Sequence, residues 1–325
     1  MQDIIYNEHM EKYQVSVIIP THNNELYIEK AIKSVINQTF KGPIEILVLN
    51  DNCTDNTDAI VEKLVKDNSN IHYLHVNNRC EGRTRMDGIK NAKGEYIMWL
   101  DGDDYYHPEM VEKMYNAITK NDADLANCSL YTINKSGIHR DLFRKNKIYY
   151  GNKALKAFFN DIYIRGFFHT KIYKASLLKE IKLNLPYRNF IYVDSLYNFF
   201  YFIKCNKVVT IKDSLLYYNK LNASSITAKG NARIQDNVNV RAFIRYKIDQ
   251  ENDLEILRIF KKQYQRVKQL LLVDSIMSSF KNKDEKKKTI KLAKKELKEI
   301  YKCQHLNIEN HSYTEFIKNT DQEAK

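Results

Sequence analysis

The sequence lacks the marks of a membrane-spanning or secreted protein. No apolar run approaches the roughly 18 residues that a membrane span needs, and the opening stretch MQDIIYNEHMEKYQ has no basic segment leading into an apolar one. The five cysteines are odd in number, scattered and without a Cys-x-x-Cys pair, which argues against a disulfide framework and against a zinc site. We therefore expect a cytoplasmic protein with reduced thiols.

Proline and glycine are also scarce, and internal repeats and low-complexity linkers are missing. The 325 residues include 4 prolines and 9 glycines. Hydrophobic residues make up 43% of the chain, enough to bury a large core in one large domain or two smaller ones. The turn-like stretch NASSITAKGN is the one candidate break, and it separates a C-terminal region at 231–325 from the rest.

Acidic residues are too few to balance the basic ones. Lysine and arginine number 52 against 40 aspartates and glutamates, a formal net charge of +12. Half of this excess lies at 281–302, where ten lysines stand among four acids. Apolar residues recur there at helical spacing: Ile290, Ala293, Leu297 and Ile300. The pattern predicts an amphipathic helix whose basic face is either solvated or docked on an anionic membrane.

The first 120 residues alternate between strand and helix patterns. Buried-strand runs are followed by helical stripes, which predicts an α/β fold with a mainly parallel sheet flanked by helices. In such sheets, ligands bind in the crevice beyond the carboxyl ends of the strands. Pro20, Asp51 and Asp101 lie at three predicted strand ends. We expect these three residues to converge on one crevice.

Three carboxylates lie within four positions after the last of these strands, in the stretch EYIMWLDGDDYYHP. Asp101, Asp103 and Asp104 repel one another unless a positive group balances them. A divalent cation suits the cluster, because hard cations prefer oxygen ligands and share them with phosphates. The alternative is a turn that enters a helix at Pro108, with Asp104 or His107 as its cap.

Three longer stretches carry four short motifs in the order and spacing of a known family. VSVIIPTHNNELYIEKAIKSVINQTF, EILVLNDNCTDNTDAIVEKL and GRTRMDGIKNAKGEYIMWLDGDDYYHPEMVEKM resemble the nucleotide-diphosphosugar domain of the family 2 glycosyltransferases, which has the GT-A (Rossmann-like) fold. The resemblance is strong to residue 120 and weaker to about 227. It implies a nucleotide-sugar half at 1–120, an acceptor half at 121–230 and a basic helical region at 231–325.

The resemblance assigns roles to residues around the expected crevice. By similarity to the family, Pro20, Thr21 and Asp51 would hold the uracil and ribose of a UDP-sugar. Arg85 matches the arginine that faces the nucleotide in the family, and Arg83 is its neighbour.

The segment Asp101-Gly102-Asp103 is similar to the Asp-x-Asp motif of the family. The similarity implies that Asp103, with Asp101 beside it, binds the Mn²⁺ or Mg²⁺ ion that bridges the diphosphate. Two positions differ from the family pattern: Asn50 stands in place of the first of two acids, and Met86 in place of an asparagine. Neither difference removes a metal ligand.

Sugar transfer also needs a general base, because the acceptor hydroxyl loses a proton as it attacks. In an inverting displacement the base approaches opposite the diphosphate, so a metal-bound aspartate cannot serve. The stretch from HTKIYKASLLKEI to YVDSLYNFF resembles the acceptor half of the family, where an acid pair opens a helix. Here the pair is Val193-Asp194, which implies that Asp194 is the base. The open alternative is that Asp194 only caps the helix.

Four further residues are candidate contacts for the acceptor or for a flap. Tyr105 is a candidate for stacking on a sugar, and His169 for touching an acceptor, although a lone histidine beside aromatic residues is more often packed. Ser224 and Ser225 match a Ser-Ser turn that lies near the nucleotide in the family, with Asn222 where a histidine is common.

Together these features predict an inverting, metal-dependent glycosyltransferase that moves a sugar from a UDP-sugar to a bacterial surface glycan such as capsule, lipooligosaccharide or teichoic acid. The expected partners are a UDP-sugar, a glycan or lipid-linked glycan and the inner face of the cell membrane; nucleic acid is not expected, and self-association stays open. The alternative is a non-catalytic basic protein, binding membrane or nucleic acid, with a relic GT-A domain. A relic would be expected to lose Asp101, Asp103 or Asp194, and all three are present.

Overall fold

The computed structural model describes residues 13–141, 146–160, 164, 166–185, 191–222, 233–278 and 280–321. In the first part of the chain, strands and helices alternate as the apolar patterns predict. The elements are β1 (Val15–Thr21), α1 (Ile28–Ile36), β2 (Ile44–Asp51), α2 (Thr57–Asp67), β3 (Ile71–Val76), α3 (Glu81–Asn91), β4 (Tyr96–Trp99), β5 (Tyr105–Tyr106) and α4 (Met110–Lys120).

The second part of the chain adds shorter strands and the start of a helical region. Its elements are β6 (Leu125–Asn134), β7 (Gly137–Arg140), β8 (Lys147–Tyr150), α5 (Asn152–Asn160), β9 (Lys171–Lys174), α6 (Ala175–Lys179), α7 (Val193–Lys204) and β10 (Lys207–Asn219). The C-terminal helices are α8 (Arg233–Glu251), α9 (Leu254–Lys261), α10 (Tyr264–Met277), α11 (Lys283–Lys302) and α12 (Thr314–Asp321).

The ten described strands form one sheet in the order β3-β2-β1-β4-β9-β6-β10-β5, with β7 on β6 and β8 on β10. The pairings among β1 to β4 are all parallel, as expected from strands joined by helices. The second half is mixed, because β9 runs antiparallel to both β4 and β6. The α/β prediction is confirmed: the first half of the sheet is parallel throughout, and in the second half β6 and β10 are also parallel.

Alternating side chains of the central strands build a core on each face of the sheet. Val17 and Ile19 pack on the face covered by α1, α2 and α4. Ile18 and Trp99 pack on the opposite face, in a core that continues through α7 into the C-terminal helices. The result is a sheet between two helical layers, with the helical region sharing the second core. The three-part division predicted from the sequence stays a prediction.

The predicted basic helix is present as α11. Ala293, Leu297 and Ile300 are buried, and the lysines lie on the outer face. Asn282 caps the helix, because its side chain accepts hydrogen bonds from the amides of residues 284 and 285. At the other end, the buried Arg245 of α8 donates to the carbonyls of Ile300 (2.7 Å) and Gln304 (2.7 Å). A cation suits a helix C-terminus, so α8 anchors α11.

Across the described part of the chain, none of the helices has both the length and the apolar character needed to cross a lipid bilayer.

Candidate active site

The acidic stretch after β4 folds into a tight turn at the carboxyl ends of the parallel strands. The amide of Asp104 donates to the carbonyl of Asp101 at 2.9 Å. Asp104 is buried, and its Oδ1 accepts a hydrogen bond from the amide of Asn219 at the end of β10 (2.8 Å). The N-cap residue of α4 is Glu109, with no side-chain cap. Asp104 therefore does not cap this helix. Nδ1 of His107, the other capping candidate, accepts a hydrogen bond from the amide of Glu109 at 3.3 Å, directly before the helix.

Asp101 lies between two cationic or potentially cationic groups. Its Oδ1 is 2.5 Å from Nη2 of Arg85, and its Oδ2 is 3.0 Å from Nδ1 of His169. The same Nδ1 is 3.5 Å from Oδ2 of Asp104. His169 is buried among these carboxylates, directly before β9, which pairs with β4. Its place beside the acidic turn was not predicted, because only the strand pairing brings it there.

The surroundings of Asp101, Asp103 and Asp104 shift their pKa values in different directions. Burial raises the pKa of Asp104 well above its ordinary value, and the charges of Asp101 and Asp103 raise it further. Burial and Asp101 likewise raise the pKa of Asp103. Burial also opposes ionisation of Asp101, but Arg85 and His169 outweigh it and hold the pKa of Asp101 well below its ordinary value. Asp101 is thus held as an anion, whereas ionisation of Asp103 and Asp104 is made less favourable by burial and by their acidic neighbours.

These residues fit a hard divalent cation. Among the described side chains, one ligand atom each from Asp101, Asp104 and His169 lie within 4.8 Å of one another. Oδ2 of Asp104 is buried and makes no hydrogen bond with any residue that the structure describes. A buried carboxylate oxygen in that state favours a cation nearby. Asp103 belongs to the same turn, and its Oδ2 accepts a hydrogen bond from Nδ2 of Asn222 (2.8 Å).

The end of β1 packs directly against the acidic turn. Thr21, like Pro20, is buried at this end, and its Oγ1 accepts a hydrogen bond from Nδ2 of Asn24 (3.2 Å). A Cβ atom at Gly102 would lie 2.7 Å from that Nδ2 atom, so the close approach favours glycine. The parallel register sets Thr21 beside Asn50 of β2. The predicted convergence of the ends of β1, β2 and β4 is confirmed.

Asp51, at the end of β2, holds the loop that leads into α3. Its Oδ1 accepts hydrogen bonds from the amides of Asn78 (2.9 Å) and Arg79 (2.8 Å). Its Oδ2 accepts from the amide of Cys80 (3.1 Å) and the hydroxyl of Thr84 (2.9 Å). The carboxylate is thus engaged by the protein, and its contact with a uracil or ribose stays a prediction. The sequence did not reveal this supporting role, because the partners come from another part of the chain.

Arg85 links α3 to the acidic turn. The side chain is buried, and besides Asp101 it binds Glu81, with Nε at 3.0 Å from Oε1. Its Nη1 makes no hydrogen bond within the part of the chain that the structure describes. A buried guanidinium nitrogen of this kind can bind a phosphate oxygen. Nη2 of the neighbouring Arg83 donates to Oδ1 of Asn184 at 3.0 Å. Asn184 lies between α6 and α7.

Asp194 lies in the first turn of α7. Its Oδ1 accepts a hydrogen bond from the amide of Ser195 (2.8 Å), and the N-cap position itself belongs to Tyr192. Burial raises the pKa of Asp194 to about 6, against the opposing charges of Arg85 and His169. The charge of Arg85 acts on Asp194 only because the start of α3 packs against the start of α7. A carboxyl group with this pKa can accept a proton near neutral pH.

The remaining candidates have different outcomes. The Tyr105 ring is stacked on Tyr217, with centroids 4.5 Å apart, and Nζ of Lys30 lies 3.4 Å from the Tyr105 centroid. These neighbours compete with a sugar for the faces of the Tyr105 ring, so the geometry does not favour the predicted stacking. Ser224 and Ser225 lie outside the described residues.

The sheet order and the acidic turn at the ends of parallel strands define a protein of the GT-A fold class. A model of the family described as "Glycosyl transferase family 2" matches residues 16–182, and the chain belongs to this family.

Two curated relatives are named as poly(ribitol-phosphate) glycosyltransferases. A poly(ribitol-phosphate) beta-glucosyltransferase of Bacillus spizizenii is 31% identical over 208 residues, which is 63% of this chain and 32% of the relative. The poly(ribitol-phosphate) beta-N-acetylglucosaminyltransferase TarS of Staphylococcus aureus is 29% identical over 205 residues, 62% of this chain and 35% of that protein. The matches therefore span about a third of the length of these relatives.

A solved structure supports the fold assignment. The crystal structure of S. aureus TarS 1–349 in complex with UDP aligns with a TM-score of 0.68 at 22% identity. The alignment covers 89% of this chain and 81% of that chain, so the likeness extends beyond the residues that match the family model.

Proposed function

We propose that this protein is an inverting, metal-dependent glycosyltransferase that uses a UDP-sugar. The observation that carries the proposal is that Arg85, whose Nη2 lies 2.5 Å from Oδ1 of Asp101 in the acidic turn, is also close enough to Asp194 to oppose the rise in its pKa. The turn offers a place for a metal-bound diphosphate, and Asp194 offers a proton acceptor. A relic domain would have no need for both.

The donor side of this site combines oxygen ligands with a buried arginine. Asp103 and Asp101 would hold the Mn²⁺ or Mg²⁺ ion, with Asp104 and His169 as further ligands from the same cluster. The bound ion would neutralise the charge that develops on the leaving diphosphate. Arg85 would contribute its Nη1 to a phosphate oxygen. The UDP complex of the structural neighbour supports a uridine nucleotide as the donor.

The rest of the donor wall would come from the ends of β1 and β2 and the start of α3. We assign Pro20, Thr21 and Asp51 to the uracil and ribose, and Arg83 to the nucleotide beside Arg85. Because Gly102 has no side chain, the acidic turn can pack close to Thr21 on the donor side of the site.

On the acceptor side, Asp194 would take the proton of the attacking hydroxyl. Its raised pKa of about 6 leaves it ionised at neutral pH, yet basic enough to accept a proton in the transition state. An Asp194 that approaches the sugar from the face opposite the diphosphate would act on a hydroxyl that attacks from that face. This arrangement favours inversion.

The names of the relatives support an acceptor of the teichoic-acid type. Both are transferases that act on poly(ribitol-phosphate), and we propose a surface glycan or glycan phosphate of this kind as the acceptor. Nine of the ten lysines at 281–302 are exposed. We propose that this face of α11 holds the enzyme on an anionic membrane.

Calorimetric titration of UDP tests the donor site. We expect UDP to bind far more tightly with Mn²⁺ or Mg²⁺ than with EDTA, because the ion would join the carboxylates to the diphosphate. Uridine is the matched control: without phosphates, its affinity should not respond to metal. Equal affinity for UDP with and without metal would count against the proposed site. A panel of UDP-sugars, tested for Mn²⁺-dependent hydrolysis and thermal stabilisation, would then identify the sugar.

A further inference from the structure

Two buried aspartates of the C-terminal helices hold the turn that immediately precedes Asp194. Oδ2 of Asp236, on α8, accepts a hydrogen bond from the amide of Ile191 at 2.9 Å. Asp274, on α10, accepts from the Tyr192 hydroxyl with both oxygens, at 2.8 Å and 2.9 Å. Each aspartate is 1% exposed. The helical region therefore makes specific polar contacts with the entrance to α7.

Tyr192 has a backbone conformation that needs such support. Its φ is 77°, in the left-handed region, which is unfavourable for a bulky residue without compensating contacts. The residue is the N-cap of α7, so its conformation sets the direction in which the helix and Asp194 leave the turn. Anchoring the hydroxyl on Asp274 stabilises this conformation from outside the turn.

The surroundings of Asp274 form a polar network inside the helical region. Nδ2 of Asn237 donates to Asp274 at 2.7 Å, and the Arg233 guanidinium lies 4.0 Å away. The guanidinium of Arg241 is 5.8 Å from the centre of the Tyr192 ring. Burying a charged network is costly, and apolar residues of similar volume often give a more stable core. A positioning role would explain why the network is placed against this turn.

Contacts with β9 and with the segment before it also hold the first turn of α7. Nδ2 of the buried Asn198 donates to the carbonyls of Asp194 (2.8 Å) and Gly166 (2.7 Å). Its Oδ1 accepts a hydrogen bond from the Tyr173 hydroxyl (2.8 Å). The backbone of Asp194 is thus held by Asn198 on one side and by the Tyr192 anchor on the other.

We propose that Asp274, acting through Tyr192 and aided by Asp236, is a positioning residue for Asp194. The C-terminal helices would then affect sugar transfer through the position of Asp194. Donor binding would not depend on them. This inference rests on the proposed function, in which Asp194 is the general base. It predicts that damage to the anchor lowers turnover, because a small misplacement of a reacting group can cost up to about 10²-fold in rate.

The test removes one oxygen atom from each of two tyrosines. Tyr192→Phe should lower kcat at least about tenfold while leaving UDP affinity and the donor KM unchanged. Tyr246→Phe is the matched control: it removes a hydroxyl on α8 that bonds to Asp321 (3.1 Å), away from the turn. The control should keep its kcat. Asp274→Asn retains one acceptor oxygen for the Tyr192 hydroxyl and should fall between wild type and Asp274→Ala.

A double mutant separates positioning from general destabilisation. If Tyr192 acts through Asp194, adding Tyr192→Phe to Asp194→Asn should cause no further loss of kcat, because the base is already gone. Independent, multiplying losses would overturn the inference, as would a Tyr192→Phe variant that matches Tyr246→Phe in turnover per folded molecule. If Tyr192→Phe folds poorly, Asp274→Asn is used in its place, alone and combined with Asp194→Asn, and gives the same comparison. Normal transfer by Asp194→Asn would instead show that the proposed base is wrong.

Discussion

The proposed donor and acceptor sides of the site shift the pKa values of their carboxyl groups in opposite directions. On the donor side, Arg85 and His169 hold Asp101 as an anion, and its pKa lies well below the ordinary value. On the acceptor side, burial raises the pKa of Asp194 to about 6. Carboxyl groups whose environments move their pKa values apart are suited to different tasks in one reaction. The difference supports the proposal that the first side binds the donor and the second accepts the proton.

Replacing the acceptor-side carboxylate should have the largest effect. Asp194→Asn keeps the shape of the side chain but cannot take a proton, so we expect kcat to fall by about 10² to 10⁴. UDP affinity should be nearly unchanged. Turnover per folded molecule, UDP affinity and melting temperature should be measured together. A residue that only supports the helix terminus would cost about 1 kcal/mol of stability and leave turnover close to wild type.

Replacing a donor-side carboxylate should give the opposite pattern. Asp103→Asn should weaken UDP and Mn²⁺ binding by about tenfold or more, because a metal ligand contributes at least as much as the groups that orient it. Turnover should fall as well, since the leaving group loses its cation. Calorimetry in the presence of Mn²⁺ measures the binding loss. Unchanged metal-dependent affinity would remove Asp103 from the metal site and leave Asp101, Asp104 and His169 as the candidates.

The pH dependence sharpens the same comparison. Asp194 acts as a base only when ionised, so kcat/KM for the acceptor should fall about tenfold per pH unit as the pH drops below about 6. Above that pH, Asp194 should not limit the rate. The metal affinity of the wild type should be measured over the same pH range. It shows whether protonation of the donor-side carboxylates, rather than of Asp194, causes the fall in kcat/KM. A profile with the same acidic limb in Asp194→Asn would contradict the assignment.

The smallest effect per residue is expected at the outer face of α11. Each exposed lysine near an anionic surface contributes about 1 kcal/mol, so Lys287→Gln should weaken vesicle binding about fivefold. Flotation with vesicles containing anionic lipid, at low and high salt, measures it. Lys30→Gln, which changes a lysine of α1, is the control. Absence of binding at low salt would rule out membrane docking and favour the solvated alternative.

Local sequence patterns were enough to predict the elements of the first 120 residues. Apolar runs and helical stripes predicted strands β1 to β4 and the helices between them, because period and polarity follow directly from which side chains are buried. The resemblance of the Asp101-Gly102-Asp103 segment marked the acidic turn, and strand ends at Pro20 and Asp51 predicted their convergence. The amphipathic spacing of Ala293, Leu297 and Ile300 likewise predicted α11. These signals are local, and local patterns can be recognised without knowing the fold.

The partners of the site residues, by contrast, became known from the fold. His169 reaches the acidic turn because β9 pairs antiparallel with β4, and no spacing in the sequence encodes that pairing. Asp274 reaches Tyr192 because α10 packs beside the entrance to α7. Asp51 likewise turned out to support the loop before α3. A carboxylate has the same sequence signature whether it caps a turn, binds a metal or holds a tyrosine, and its surroundings in the fold decide among these roles.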